Sequence, residues 1–290
     1  MWPSQVNTGR LQIQPDLSQD DTGVLVTPLE KRLQAYDRFQ ELLARGKSTH
    51  EMVCTISKRF GVSQSTVYAW TKGRSPFGKR CGRITHAEEL FYVIGALLGD
   101  GCIYLWRNQY YVWLLGEREF CLKYAEKIAW CTSKTKAKTY TYRGRNVWFV
   151  KFQNAELYFL MRRVRQDFNV LSNLIRRGDR LANSLQLIEG FFDAEGCVKV
   201  IKEKVRRTPK INLDFSNTDL NLLELVRREL KYALGIEGRF TSHRDLKSNR
   251  KVAYHLRIYR KDAIGKFLSN VSTIKLKPEK VHYVENWLRK

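Results

Sequence analysis

The sequence predicts an α+β protein in which two halves each read αββαββα, preceded by a small all-helical module. Three observations carry that prediction. Two apolar, helix-like runs, "YVIGALLGDG" at Tyr92–Gly101 and "IEGFFDAEG" at Ile188–Gly196, each end in an acid followed by glycine, with the acids 195 − 100 = 95 residues apart. Each run is followed by the same succession of strand-like and helix-like segments. Ahead of both, residues 27–83 carry the start and stop signals of short helices.

The composition sets the class. Of 290 residues 43% are hydrophobic, with seven Trp, which is enough for a sizeable core in more than one folded unit and excludes a disordered protein. Lysine and arginine number 52 against 29 acids, a formal charge of +23. Such an excess favours a polyanionic partner, nucleic acid ahead of a membrane surface. The longest apolar stretch, around Leu90–Leu98, is too short to span a bilayer, and "MWPSQVNTGRLQIQPDLSQDD" lacks the apolar core of a signal peptide. The six cysteines form no C-x-x-C pair and match neither a zinc site nor a disulfide framework. A reduced, intracellular protein of the cytoplasm or nucleoid is expected.

Taken in order, residues 1–26 are polar and aperiodic, a flexible tail. In "TPLEKRLQAYDRFQELLARG", Thr27 is the N-cap, Pro28 the first helical residue, Glu30 the third, and Gly46 the stop. In "STHEMVCTISKRFGVSQSTVYAWTKGRSP" a helix over Thr49–Phe60 breaks at Gly61-Val62-Ser63, and Ser63 caps a second helix from Gln64 to about Lys72. Small Ser57 lets the helices approach, while Val62, Val67 and Trp70 face inward. This stretch resembles a helix-turn-helix of the resolvase or homeodomain-like kind. The resemblance implies that Gln64, Ser65, Thr66 and Tyr68 face the major groove, and Lys72 and Arg74 join them as DNA-binding candidates. Between Arg45 and Arg83 stand nine basic residues and one acid, Glu51.

The first half, residues 84–177, opens with a motif helix capped by Thr85 and Glu88. Strands follow at Cys102–Trp106 and Tyr110–Leu115, a helix at Arg118–Trp130, strands at Ala137–Tyr142 and Asn146–Gln153, and a helix at Asn154–Phe168. The second half, residues 178–290, repeats the order: motif helix Ser184–Ala194, strands Cys197–Val205 and Lys210–Ser216, helix Leu220–Leu234, strands near Gly238–Arg244 and Lys251–Tyr259, helix Asp262–Val271 and a closing helix Pro278–Leu288. In "INLDFS" the alternation puts Ile211, Leu213 and Phe215 on one face and Asn212, Asp214 and Ser216 on the other.

The motifs have their own chemistry. Gly95 and Gly99 lie four apart on one helix face, as do Gly190 and Ala194, so the two helices can pack closely and bring Asp100 and Glu195 together. Gly101 and Gly196 are able to take the left-handed conformation that ends a helix. Acids at two helix C-termini repel each other and both dipoles, an arrangement that suits a divalent cation and a phosphate as guests. Mg²⁺ is held by one or two carboxylates with water and substrate phosphate, and paired metals activate water in phosphodiester cleavage. Asp193 matches Leu98 in the first motif and so is not expected to be catalytic, and Cys102 and Cys197 read as small strand starters.

On these residues, and over positions 84–290, the chain resembles the LAGLIDADG homing endonucleases of the single-chain, two-motif type. The resemblance implies saddle-shaped antiparallel sheets over the DNA major groove. It also implies a site-specific endonuclease that makes a metal-dependent double-strand break at a long asymmetric target, as in intron homing. Asp100 and Glu195 would be catalytic and hold Mg²⁺, helped by Lys277 of "IKLKPEK" and Asn217 of "FSN". Lys199, Lys202, Lys204, Arg206, Asn212, Arg239, His243, His255 and Arg257 would contact double-stranded DNA. The first half departs from the pattern, with Gly116-Glu117 where the amide would stand and Arg176 or Arg177 where the lysine would, which leaves open weak activity or nicking of a single strand. Two other functions compete on the same scaffold: a DNA-binding regulator without catalysis, against which both acids stand, and an RNA maturase, against which the helix-turn-helix speaks. With both halves in one chain, a monomer without an obligatory protein partner suffices.

Overall fold

The computed structural model describes residues 28–77, 84–85, 87–107, 109–132, 137–141, 147–201, 209–243 and 252–289, with only the backbone of Pro28 and His243. The expected tail and its junction residue Thr27, and the DNA-binding candidates Lys202, Lys204 and Arg206, lie outside the described residues. The chain divides into two compact units after Pro76.

The first unit is three helices, α1 (Pro28–Ala44), α2 (Thr49–Phe60) and α3 (Gln64–Thr71). Its turn follows from local chemistry. Gly61 takes a left-handed φ of 65° and donates its N–H to Ser57 O, and two residues later the Ser63 hydroxyl accepts from Thr66 N. Ala35, Phe39, Leu42, Met52, Val53, Ile56, Val67 and Trp70 form its core, with the Trp70 ring 5.2 Å edge-on from Tyr36.

The second unit holds the repeat. Its first half runs α4 (Glu88–Gly99), β1 (Gly101–Trp106), β2 (Gln109–Gly116), α5 (Arg118–Cys131), β3 (Thr139–Thr141), β4 (Trp148–Gln153), α6 (Ala155–Gln166) and α7 (Phe168–Ile175). Its second half runs α8 (Arg180–Glu195), β5 (Gly196–Ile201), β6 (Lys210–Asn217), α9 (Leu220–Leu234), β7 (Arg239–His243), β8 (Ala253–Ile258), α10 (Lys261–Asn270) and α11 (Pro278–Arg289). The two antiparallel sheets have matching orders, β1-β2-β4-β3 and β5-β6-β8-β7. One face of each sheet is apolar and packs on helices: Val112, Leu114, Val150 and Phe152 in one core, Val198, Ile211, Leu213, Phe215 and Leu256 in the other. The α+β architecture read from the sequence is therefore present. Among the described residues, no helix is long and apolar enough to cross a membrane.

Four local expectations are corrected. Thr85 does not cap the motif helix: α4 starts from Ala87 without a side-chain cap, and the Thr85 hydroxyl donates to Cys131 O at 2.9 Å. The second motif helix begins at Arg180, not Ser184, because Asp179 accepts from Ala182 N at 3.1 Å. An unpredicted helix, α7, joins the halves, capped by Asp167. Finally, Gly101 and Gly196 are not left-handed; both start strands, and Gly196 has φ −87° and ψ 158°. Glycine is required there for room. A Cβ at Gly101 would sit 2.5 Å from Leu97 Cα, and one at Gly196 2.4 Å from Phe192 O, because each strand leaves directly over the last turn of its helix.

Candidate active site

The motif helices α4 and α8 meet backbone to backbone. A Cβ at Gly190 would lie 2.1 Å from Tyr92 O, and one at Gly95 2.4 Å from Leu187 O, so only glycine permits this approach. At the C-terminal ends, a Cβ at Gly99 would meet Ala194 Cβ at 2.5 Å and Glu195 Cγ at 2.8 Å. Glu195 therefore stands against the residue that precedes Asp100.

Asp100 follows the last residue of α4 and donates its N–H to Ala96 O at 3.1 Å. Its side chain reaches solvent, yet the protein packed around it desolvates the carboxyl enough to push its pKa up to about 6, an effect that the nearby Lys275 ammonium moderates. Glu195, the last residue of α8, is half-buried, and its Oε1 accepts from Asn217 Nδ2 at 3.0 Å. Asn217 ends β6, and its other amide atom, Oδ1, accepts from Asp219 N at 2.9 Å, so both ends of the amide are committed.

Lys277 pairs with a carboxylate of the first half. Its ammonium donates to Glu117 Oε2 at 2.9 Å and Oε1 at 3.1 Å, a bond that holds Glu117 below the usual carboxylate range and Lys277 above the usual lysine range. The lysine whose charge bears on Asp100 is Lys275, which also bears on Glu117. Sequence reading missed Lys275, although it stands two residues away in the same segment. It also missed Arg165, which donates to Leu97 O at 2.8 Å and Gly101 O at 2.9 Å, and so satisfies carbonyls that the end of α4 leaves open beside Asp100.

The two halves differ here for a packing reason. Leu114 pairs with Gly101 and Phe215 with Gly196, so Gly116 occupies the register position of Asn217. A Cβ at Gly116 would lie 2.7 Å from the Phe120 ring, which leaves no room for an amide. Arg176 and Arg177 are exposed beyond the end of α7.

Asp193 has a structural task. Fully buried, it accepts from Tyr92 OH at 2.9 Å, Lys123 Nζ at 2.7 Å, Thr273 Oγ1 at 2.7 Å and Ile274 N at 3.0 Å. These bonds tie the segment bearing Lys275 and Lys277 to the helix pair. Asp193→Ala should lower stability by about 3 kcal/mol or more, because it orphans buried donors around Lys123. Chemical denaturation measures this, and a loss below about 1 kcal/mol would contradict it.

Residues 182–272 match the family model of a LAGLIDADG-like domain. No curated relative matches the chain. Similar solved structures include mesophilic variants of the homing endonuclease I-DmoI, at 20% identity over 65% of this chain and 97% of that one, with a TM-score of 0.46. I-DmoI in complex with DNA and Mn is 22% identical over 65% and 99%, with a TM-score of 0.46. Meganuclease I-SmaMI bound to uncleaveable DNA is 11% identical over 69% and 87%, with a TM-score of 0.43.

The open face of the second sheet gathers the polar candidates. Asp214, buried at the centre of β6, pairs with Lys199, lies 3.1 Å from His255 Nδ1 and 3.4 Å from Arg257 Nε. Arg239 pairs in register with Arg257 and Thr241 with His255, so these residues share one surface, beside Asn212 opposite Lys199. Asp214 as their hub was not read from sequence; its place on the polar face of "INLDFS" was the available signal. In the first unit, Gln64, Ser65, Tyr68, Lys72 and Arg74 are exposed. Thr66 is half-buried with its hydroxyl 2.8 Å from Ser63 Oγ, engaged in the helix cap.

Proposed function

We propose that this protein is a site-specific DNA endonuclease that makes a double-strand break at a long asymmetric target, of the intron-homing kind, with Mg²⁺ as its cation. The observation that carries the reading is the glycine-to-glycine helix pair that ends in Asp100 and Glu195, with Asn217 bonded to Glu195.

The residues fit a hard divalent cation. Two carboxylates stand at the negative ends of two helices, and Asp100 is costly to ionise where it stands, a cost that a bound cation offsets. Among the described residues no group of three or more His, Cys, Asp or Glu could hold a metal ion, so the remaining ligands would be water and substrate phosphate. When bound, Mg²⁺ supplies Lewis acidity to a water and to the scissile phosphate. The chain's own residues prepare the place: Asn217 fixes the orientation of Glu195, Arg165 covers the carbonyls behind Asp100, and Lys275 and Lys277 bring positive charge to an oxyanion. Because Gly116 replaces the amide in the first half, the two DNA strands would meet unequal surroundings and be cut at unequal rates.

The sheet face built on Lys199, Asn212, Arg239, His255 and Arg257 would contact the duplex, and Gln64, Ser65, Tyr68, Lys72 and Arg74 would add contacts from the helix-turn-helix. The test is cleavage of a supercoiled plasmid bearing the uninterrupted host locus, with Mg²⁺ and with chelator. A nicked intermediate that becomes linear only in Mg²⁺ is expected, and an intact plasmid in Mg²⁺ would overturn the reading. Within it, Lys275→Met should slow cleavage about tenfold more than it weakens binding, and Lys277→Met should do less, since its ammonium is committed to Glu117 on the surface. Equal losses of rate and affinity in Lys275→Met would reassign that lysine to plain phosphate contact.

A further inference from the structure

A short stretch between α10 and α11, residues 271–277, stitches the two halves together and carries the lysine that bears on Asp100. Val271 is buried in the second core, Ile274 packs against the first, and Leu276 packs against the second again. Lys275 stands between those two, and its charge bears on Glu117 as well as on Asp100. Hydrogen bonds hold the stretch on either side of it. Upstream, the Thr273 hydroxyl donates to Asp193 Oδ1 at 2.7 Å and accepts from Lys275 N at 3.0 Å, so one hydroxyl ties the backbone of the lysine to the motif helix α8. The Ile274 N–H joins it on Asp193 at 3.0 Å, and Lys123 of α5 donates to Ser272 O. Downstream, the Lys277–Glu117 pair returns the stretch to the first half. Glu117 precedes the first residue of α5 but does not cap that helix with its side chain; both of its carboxylate oxygens accept from Lys277 instead.

We infer that Thr273 and Glu117 are positioning residues for Lys275, two anchors that hold the lysine at the acid pair before a substrate arrives. The inference rests on the endonuclease reading and adds to it the residues that make its lysine effective. A lysine on an unanchored loop would have to be ordered at every turnover, and that conformational cost would count against the rate. With the loop fixed at both ends by folding, the cost is met beforehand and the ammonium waits in place. The two anchors are unequal. Thr273 hangs on the fully buried carboxylate of Asp193, whereas the Glu117 and Lys277 side chains are 61% and 40% exposed, where an ion pair contributes little. Loss of the Thr273 hydroxyl should therefore weigh more than loss of the Glu117 charge. Glu117 thus has a task of its own in the first half, one residue beyond the Gly116 that stands in register with Asn217.

The test uses the full chain and measures single-turnover plasmid cleavage in Mg²⁺, gel-shift affinity and amide hydrogen exchange by NMR. Thr273→Val should slow cleavage about tenfold and Glu117→Gln about threefold, and neither should weaken DNA binding. Thr273→Ser keeps the hydroxyl and should cleave at the native rate. In a Lys275→Met background neither substitution should slow cleavage further, because the group they position is gone. Exchange reads the inner anchor without cleavage: the Lys275 N–H should exchange about tenfold faster or more in Thr273→Val than in the native chain. In Thr273→Val, Asp193 keeps its bonds from Tyr92, Lys123 and Ile274, and Glu117 lies on the surface, so both variants should fold, which thermal melts verify. Further slowing in the Lys275→Met background, or slowing by Thr273→Ser equal to that by Thr273→Val, would overturn the inference. So would unchanged Lys275 exchange in Thr273→Val, or faster cleavage by Glu117→Gln, which would make that acid a brake on Lys277. A native chain that leaves the plasmid intact would overturn the endonuclease reading instead, and exchange would still decide whether Thr273 holds Lys275.

Discussion

Asp100→Asn and Glu195→Gln should each reduce double-strand cleavage by roughly a thousandfold or more while leaving DNA binding nearly intact, because each removes one of two oxygen donors that a catalytic cation would share. Stability should move the other way. The folded protein holds the Asp100 proton more tightly than the unfolded chain does, with the pKa raised from 3.8 to about 6 by desolvation. Stability therefore falls as pH rises through that window, and at pH 7 the ionised carboxyl exerts its full cost. In metal-free buffer at pH 7, Asp100→Asn should melt at or above the native temperature, and the difference should vanish below about pH 4. Adding Mg²⁺ should raise the melting temperature of the native chain and not of the variants. Paired cleavage, gel-shift and melting measurements check this. A folded variant that cleaves at the native rate would remove the acid pair from the mechanism.

Gly190→Ala should be among the most destabilising single-methyl additions in the molecule. Alanine for glycine inside a helix ordinarily gains about 1 kcal/mol. Here the added Cβ would stand 2.1 Å from Tyr92 O and 2.8 Å from Tyr92 C, and backbone on the facing helix cannot turn aside as a side chain can. Separating the helices would loosen the seam between two cores and part the acids at its end. A loss of about 3 kcal/mol or more is expected in denaturant unfolding, with cleavage lost in parallel. Gly265→Ala in α10 is the control. Its Cβ would meet only the Leu288 side-chain tip at 3.3 Å, so it should be neutral or stabilising by up to about 1 kcal/mol. Equal effects at both positions would contradict helix contact as the cause.

Much of this was legible because it is local. The Gly61-Val62-Ser63 turn and the span of α9 were read residue for residue, since a glycine stop, a serine or aspartate cap and an apolar period act within a few positions. The repeat was legible for a related reason: the acid-glycine endings recur at a fixed spacing, and small residues four apart mark a helix face that must meet another. Local signals also misled. Thr85 has the right chemistry for a cap, but the Cys131 carbonyl, distant in sequence, claims its hydroxyl. Gly101 and Gly196 look like helix stops, yet the positions require glycine because strand and helix nearly touch there.

The sequence by itself determined the architecture, the two motif helices, the identity of the two acids and the sign of the charge. Only the tertiary structure decided that Asn217 bonds Glu195, that Lys275 acts on Asp100 while Lys277 is held by Glu117, and that Asp193 anchors their segment. Those partners stand 22 to 275 − 100 = 175 residues apart, and no periodicity in the chain encodes which side chains meet across a packed interface. Strand register, likewise, is what set the polar candidates of the second sheet on one face: a shift of one residue would turn every side chain to the opposite face, and only the paired sheets fix which face is which.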